Sequence, residues 1–244
     1  ITVCNDVVGY PVLLKAAAGG GGKGMRVCYN DQDVKESWGV DKGEAKKFFS
    51  DDRLLVEKYI ERPHNIEFQV LCAPPDTENG KTQVIVFPER ECSIQRRNQK
   101  ILEESPSVLL HESTRRAMAQ QVTTLCQAVG YQSAGTVEFL VDEEQNFYFL
   151  EMNTRLQVEH PVTEAVCGVD VVKGMLWVGA GWGLPEEFKS VVDAANVANG
   201  GDGLILMPHQ GHAMEARIYA EDPLRGFLPS IGPLSPYVEP FTNI

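Results

Sequence analysis

Two glutamates, Glu138 and Glu151, stand where their chemistry conflicts with their surroundings. Thr136–Asp142 and Phe147–Asn153 read as the two strands of a hairpin around Glu143–Asn146. A turn centred between Glu144 and Gln145 sets Glu138 opposite Glu151 and Thr136 opposite Asn153, all on one face. Facing carboxylates repel, and Leu140 and Phe149 make the neighbourhood apolar. A divalent cation bridging both, with Asn153 as a further oxygen ligand, reconciles them. Magnesium is normally held by one or two carboxylates plus nucleotide phosphates, which fits this set. The bland alternative, two glutamates on a solvated strand, needs polar neighbours that Phe147-Tyr148-Phe149-Leu150 does not supply.

The hydrophobic strand runs directly into a polar segment, Glu151 to Glu164, the arrangement of a site at a strand end. Arg155 offers a planar fork for a small oxyanion, and Glu159 is a candidate base beside it. His160 precedes Pro161, so its backbone is expected to be extended and its role structural. Upstream, Gly19, Gly21 and Gly24 satisfy GxGxxG, but Met25–Tyr29 favours a strand where a dinucleotide fingerprint needs a helix. A Walker loop fails as well, because Gly24 follows Lys23. What remains is a strand–glycine loop–strand hairpin that carries Lys23, with Lys15 on the strand before it. It is either a lid over phosphates or a surface hairpin. Arg90, Arg96, Arg97 and Lys100 form a basic cluster within Pro88–Lys100 that needs an anionic partner, either a ligand or the chain's own acidic surface, unless it lies on a solvated strand edge. Arg217, between Glu215 and Tyr219, is ambiguous on its own.

These residues need a scaffold. Residues 11–17 and 25–29 read as strands, followed by a charged helix capped by Asp31 or Asp33 and running to about Phe49. Leu54–Tyr59 and Ile66–Cys72 read as strands around a Pro63-His64-Asn65 turn, and 73–81 as a surface loop. Ser113–Val129 is a helix with Ser113 as cap, Gly130 as stop and a stripe of Met118, Val122, Leu125 and Val129. A further helix spans about Asp170–Gly179, 193–211 reads as a loop and Met214–Ala220 as a strand. The chain of 244 residues has 22 Lys or Arg against 34 Asp or Glu, a formal charge of −12. Such acidity argues against broad phosphate neutralisation and hence against nucleic acid as a partner. No apolar run approaches the roughly 18–20 residues of a membrane span, so no membrane partner is expected. The six cysteines show no metal-ligand or CxxC spacing and read as packing residues in a reducing compartment. No targeting stretch stands at the start, and the proline-rich end closes no recognisable unit, so the chain reads as a piece of a longer one.

Taken in order, Lys15 with Gly19–Met25, Glu57–Ile60, Glu89–Lys100, Gly135–Leu140, Glu151–Glu164 and Glu215–Pro223 resemble the biotin carboxylase component of biotin-dependent carboxylases. The resemblance covers nearly the whole chain, and Glu151–Glu164 is its most specific part. It implies an α+β ATP-grasp fold truncated at both ends. Residues 1–60 would be the lid subdomain with its glycine-rich loop, and 61–244 the antiparallel-sheet catalytic subdomain with the start of the C-terminal lobe. It also implies that ATP lies under the lid, with Lys15 on its phosphates and Gly21, Gly22 and Gln95 among its contacts. Glu57, Lys58 and Ile60 would hold the adenine edge and Leu140 its face. Glu138, Glu151 and Asn153 would hold Mg²⁺ (or Mn²⁺). Bicarbonate would sit on Arg155 near Lys100 and the Val158 backbone, with Glu159 removing its proton. Carboxyphosphate would form and release CO₂, and Arg217 would stabilise the enolate of biotin.

Within the family, Ser93–Lys100, Leu228–Gly232 and Tyr237–Pro240 look most like the propionyl-CoA type, while Gly211–Arg217 is as close to the methylcrotonyl-CoA type. Two departures stand out. His64-Asn65 replaces the usual Arg-His, and Asn98 replaces a His found in many relatives. A further ATP-contacting lysine of the family has no counterpart before Ile1, which leaves open a catalytically incomplete ATP-binding fragment. An ATP-grasp ligase joining a carboxylate to an amine is disfavoured by Arg155–His160. No Met-Lys-Met biotinylation site occurs, so biotin would be carried on another segment or chain. The implied partners are a biotin carrier domain and a carboxyltransferase (β) subunit, in a homo- or hetero-oligomer in the mitochondrial matrix.

Overall fold

Period-two alternation builds the first sheet. The computed structural model describes residues 1–18, 25–75, 80, 82–198, 203–233 and 235–238. Strand β1 (Val12–Ala16) buries Val12, Leu14 and Ala16 and leaves Leu13 and Lys15 on the other face. It pairs antiparallel with β2 (Met25–Cys28) on one side and β3 (Leu54–Lys58) on the other. Helix α1 (Asp31–Phe49) packs on the buried face through Val34, against Val12, Leu14 and Cys28. Its cap is Asn30, whose side chain accepts from the Gln32 and Asp33 amides, whereas the sequence pointed to Asp31 or Asp33. Asp33 instead accepts from the Tyr29 amide, satisfying a donor just outside the helix.

The second sheet has eight strands centred on β4 (His64–Ala73). On one edge β4 pairs over nine residues with β8 (Ser133–Val141), which carries β9 (Phe147–Asn153). On the other edge the sheet forks. The end of β4 pairs with β5 (Gln83–Val86), and its start with β6 (Arg90–Arg96) and through it β7 (Gln99–Ser105). Helix α2 (Glu112–Ala128) covers one face through Met118, Ala119, Val122 and Cys126, which meet Phe68, Val70, Val137 and Phe139. The opposite face of β4 changes character midway. Leu71 and Ala73 pack under α4 (Val171–Gly179) and α5 (Glu186–Ala198), with Val171, Val178 and Phe188 in contact, while Glu67 and Gln69 stay polar. Helix α3 (His160–Cys167) lies between these regions, β10 (Ile205–Leu206) runs parallel to β5, and β11 (Ala213–Ala216) pairs with β7. No helix among the described residues is long and apolar enough to cross a membrane.

Several expectations change. His64 and Asn65 are not a turn; they open β4, because the β8 ladder reaches them at Val141 and Leu140. His160 is not extended but starts α3, and Pro161 is tolerated in the first turn because no intrahelical partner awaits its missing N–H. Of the range 193–211 expected as a loop, the part up to Ala198 belongs to α5, whose Phe188 is fully buried on Phe87, and Ile205–Leu206 is strand β10. The strand over Met214–Ala220 stops at Ala216, beyond which Ile218 is 93% exposed. In α2 the cap position is His111 rather than Ser113, and Val129 is exposed, its place in the stripe taken by Cys126. The β8–β9 turn is centred on Glu144, since Asp142 and Asn146 pair across it. By itself that centring sets Glu138 opposite Leu150. An extra residue in β9, Leu150, shifts the register back, and Glu138 pairs with Glu151.

Candidate active site

The pairing registers align four strands. Arg90 on β6 faces Glu67 on β4, Glu67 faces Glu138 on β8, and Glu138 faces Glu151 on β9. One rung away, Gln69, Thr136 and Asn153 form a parallel row. Three glutamates in line are not left to repel. Arg90, fully buried, spends its guanidinium on Glu67 Oε1 (2.7 Å), Gln69, Thr163, Gln157 and Thr136. Lys100 Nζ ion-pairs with Glu67, with Glu138 Oε1 at 3.1 Å and with Glu159 Oε1 at 2.8 Å. The like-charge conflict between Glu138 and Glu151 is thus relieved partly by the protein's own Lys100, a partner that hairpin reasoning could not supply.

Glu138 is asymmetric. Its Oε1 accepts from Lys100, from Asn153 Nδ2 (2.9 Å) and from Gln157 Nε2 (2.9 Å), and among the described residues no hydrogen bond or ion pair falls on Oε2. Glu151 is exposed, and among the described residues it has no hydrogen-bond or ion-pair partner. Asn153 turns its amide NH₂ to Glu138, and its Oδ1 has no hydrogen-bond partner among the described residues. One free oxygen on each of three neighbouring side chains is a donor set that suits a hard divalent cation.

A second irregularity aims the other half of the site. Ile94 faces Leu102 but Gln95 faces Lys100, so Ile101 is an extra residue in β7. A one-residue insertion reverses which face the following side chains take, and here it brings Lys100 and Glu103 to the same side. Arg217, whose amide still bonds Ile101, reaches Glu103 Oε1 with Nε (2.6 Å) and Glu159 Oε2 with Nη2 (2.7 Å). Glu159, 2% exposed, is therefore clamped between Lys100 and Arg217. Burial pushes its carboxyl up, but Lys100 and Arg90 outweigh that and hold it down to about 2. Burial likewise pushes Glu67 up, against Arg90 and Lys100. Burial alone would lower the Lys100 ammonium, yet Glu67 and its neighbours hold it above its usual range.

Facing this network is a cavity of about 620 Å³. The small sheet lines it with Leu13, Lys15, Met25 and Glu57, and the large sheet with Asn65, Gln95, Lys100, Glu138, Glu151 and Asn153. Arg155, Val158, Glu159 and Arg217 complete the far wall. Lys15 and Glu57 ion-pair at 2.6 Å across β1 and β3. Arg155 is exposed and, among the described residues, donates only to the Leu156 carbonyl. Three sequence candidates are not at the cavity surface. Lys58 turns its ammonium away onto the Gly9 and Tyr10 carbonyls, because its position on β3 is one residue out of phase with Glu57. Ile60 and Leu140 do not line it either, although Leu140 shares a strand face with Glu138. Gly21 and Gly22 lie outside the described residues.

Sequence reasoning missed Glu67, Gln69, Arg90 as a buried hub, Gln157 and Glu103. The signal existed for Glu67 and Gln69, polar residues alternating inside Ile66-Glu67-Phe68-Gln69-Val70. Of the two anionic partners open to the basic cluster, the chain's own acids are the ones observed here: Arg90 meets Glu67, and Arg96 meets Glu221 and stacks on Phe227.

Residues 2–187 match the family described as Carbamoyl-phosphate synthase L chain, ATP binding domain. The chain belongs to this family. Within it, the ATP-binding domain is 54% identical over 236 residues to the propionyl-CoA carboxylase alpha chain of Ruegeria pomeroyi, covering 97% of this chain and 31% of that protein. It is 53% identical over 234 residues to the mitochondrial propionyl-CoA carboxylase alpha chain of Caenorhabditis briggsae, covering 96% and 29%. The biotin carboxylase domain dimer of Hydrogenobacter thermophilus 2-oxoglutarate carboxylase, solved with MgADP, ADP and bicarbonate, superposes with a TM-score of 0.79 at 45% identity. That match covers 96% of this chain and 47% of the other. This is a biotin carboxylase domain of α+β ATP-grasp architecture, homologous to propionyl-CoA carboxylase alpha chains. The chain spans 29–31% of the length of these curated relatives, which are both mitochondrial and bacterial.

Proposed function

We propose that this domain carries out the ATP- and bicarbonate-dependent carboxylation of biotin, the first half-reaction of an acyl-CoA carboxylase of the propionyl-CoA type. The observation that carries the proposal is the clamped Glu159, a buried carboxylate between Lys100 and Arg217 on the wall that also holds Glu138 and Glu151. ATP fits the end of the cavity between the two sheets. There Lys15, on leaving Glu57, supplies a phosphate counter-charge, and Leu13, Glu57 and Gln95, which line that end, border the base. Mg²⁺, held by Glu138 Oε2, Glu151 and Asn153 Oδ1, would neutralise charge on the phosphates. The ion pairing favours it: Glu67, Glu103, Glu138 and Glu159 pair with Arg90, Lys100 and Arg217, while Glu151 has no ion-pair partner among the described residues.

Bicarbonate binds at Arg155, beside Lys100 and the Val158 backbone. Held to about 2, Glu159 is a weak base while Lys100 and Arg217 are spent on it. An arriving anion that draws those cations to itself raises its basicity at the moment a proton must be taken. The deprotonated bicarbonate oxygen then attacks the γ-phosphorus as ADP leaves, giving carboxyphosphate, which breaks into CO₂ and phosphate. The guanidinium of Arg217 stays charged throughout and is placed to stabilise oxyanion character on the carboxyl acceptor. The acceptor biotin rides on a carrier domain elsewhere, a carboxyltransferase (β) subunit uses the product, and the assembly is oligomeric. The mitochondrial matrix is the compartment where the protein is eukaryotic. The test is ADP release from the complete protein. Turnover that requires bicarbonate and rises with free biotin supports the reading; turnover stimulated by an amine and indifferent to bicarbonate sinks it.

A further inference from the structure

Behind Arg217 lies a feature that the reaction scheme does not use. Glu103 on β7 and Glu215 on β11 are direct partners in the antiparallel ladder, which brings their Cβ atoms to about 4.5–5.5 Å. Glu103 is 1% exposed and Glu215 half-buried. Both oxygens of Glu103 and Oε2 of Glu215 are buried without a hydrogen-bond donor. Arg217 Nε lies 2.6 Å from Glu103 Oε1 as an ion pair, off the angle of a hydrogen bond. Its other end is committed to Glu159. One guanidinium therefore faces three carboxylates. The remaining charged neighbours do not close the gap, because Lys100 on β7 serves Glu67, Glu138 and Glu159. From α3 only His160 faces the pair, β6 turns Cys92 toward Glu67 and Glu159, and Tyr219 stands beside Arg217.

We propose that Glu103 and Glu215 share one proton, Glu215 donating to an ionised Glu103, and that this pair is the positioning element that fixes the Arg217 guanidinium at the cavity wall. The shared proton gives an orphan oxygen its donor and removes the like-charge repulsion across the ladder, two costs that a buried pair cannot otherwise escape. It leaves Glu103 with one negative charge, enough to hold Arg217 in place without drawing it off Glu159. Burial, the largest influence, raises both carboxyls above their ordinary range; for Glu215 the charge on Glu103 adds to it.

This inference rests on the biotin carboxylase reading for the role of Arg217, but the shared proton is testable without it. In the complete carboxylase, difference infrared spectroscopy of wild type against Glu215→Gln at neutral pH should show a protonated carboxyl band in the wild type only. Its absence overturns the shared proton. For positioning, Glu103→Gln and Glu215→Leu should each lower kcat for biotin carboxylation by roughly tenfold to hundredfold, with KM for ATP unmoved. Glu103→Asp, which keeps the charge, should recover part of the loss. Unchanged kcat in Glu103→Gln, or no recovery in Glu103→Asp, overturns the positioning role. A wild type that lacks bicarbonate-dependent turnover refutes the functional reading instead, and the infrared band still decides the proton.

Discussion

Replacing Glu159 by Gln removes one charge and almost no volume, so its consequences can be worked out from the clamp. The Glu159 side chain is 3% exposed and its carboxyl sits at about 2 against an ordinary 4.5. At about 1.36 kcal/mol per unit, the ionised form is favoured in the folded state by on the order of 3 kcal/mol. For a depressed carboxyl this stability is present above the unfolded value and is lost as pH falls through the folded one. The variant should therefore unfold more easily than wild type at pH 7, and the gap between them should close between pH 4.5 and about 2. Lys100 keeps Glu67 and Glu138, and Arg217 keeps Glu103, so the fold survives. Catalysis is another matter, since loss of a general base costs about 10²–10⁴-fold. The assay is ADP release with and without bicarbonate, alongside calorimetric titration of MgATP, whose affinity should be preserved. Turnover within about threefold of wild type would remove Glu159 from the chemistry, a loss far smaller than a general base commands. A stability gap that persists at low pH would refute the electrostatic origin of the clamp.

Other perturbations separate the metal rung from the hub beneath it. Glu151→Gln should weaken Mg²⁺-nucleotide binding while leaving stability within about 0.5 kcal/mol, because the side chain is exposed. Glu138→Gln should weaken that binding and also destabilise, since Lys100 loses a partner; unaltered affinity in both by calorimetry contradicts the metal assignment. Arg90→Ala strands a fully buried Glu67 and should cost about 3–5 kcal/mol, read as a large fall in Tm. Gly174→Ala places a Cβ 2.7 Å from Leu71 Cδ2 and 3.0 Å from Phe188 Cε2. Overpacking there should cost about 1–3 kcal/mol in chemical denaturation, with MgATP affinity unchanged.

What could be read from the sequence was what is local. The hairpin carrying Glu138 and Glu151 is specified by the residues on either side of one short turn. The hub was hidden because its partners converge from far apart: Arg90 meets Glu67 across 23 positions, Gln157 across 67 and Thr163 across 73. No spacing rule links such residues before the sheet order is known. The extra residues Leu150 in β9 and Ile101 in β7, and the one in β6 between Glu91 and Ile94, are hidden for a different reason. A bulge is a backbone event with no residue type of its own, yet it decides the face of every side chain beyond it. A turn centred between Glu144 and Gln145 lies half a residue from the observed one, and strict alternation has no place for the Leu150 bulge. These two errors cancelled at Glu138, so the correct pairing came from an incomplete argument. With strict alternation Lys100 and Glu103 point to opposite faces, Arg217 has no acid behind it, and Glu159 has a single cation. The insertion of Ile101 is what converts a strand with two unrelated charges into one wall of the clamp.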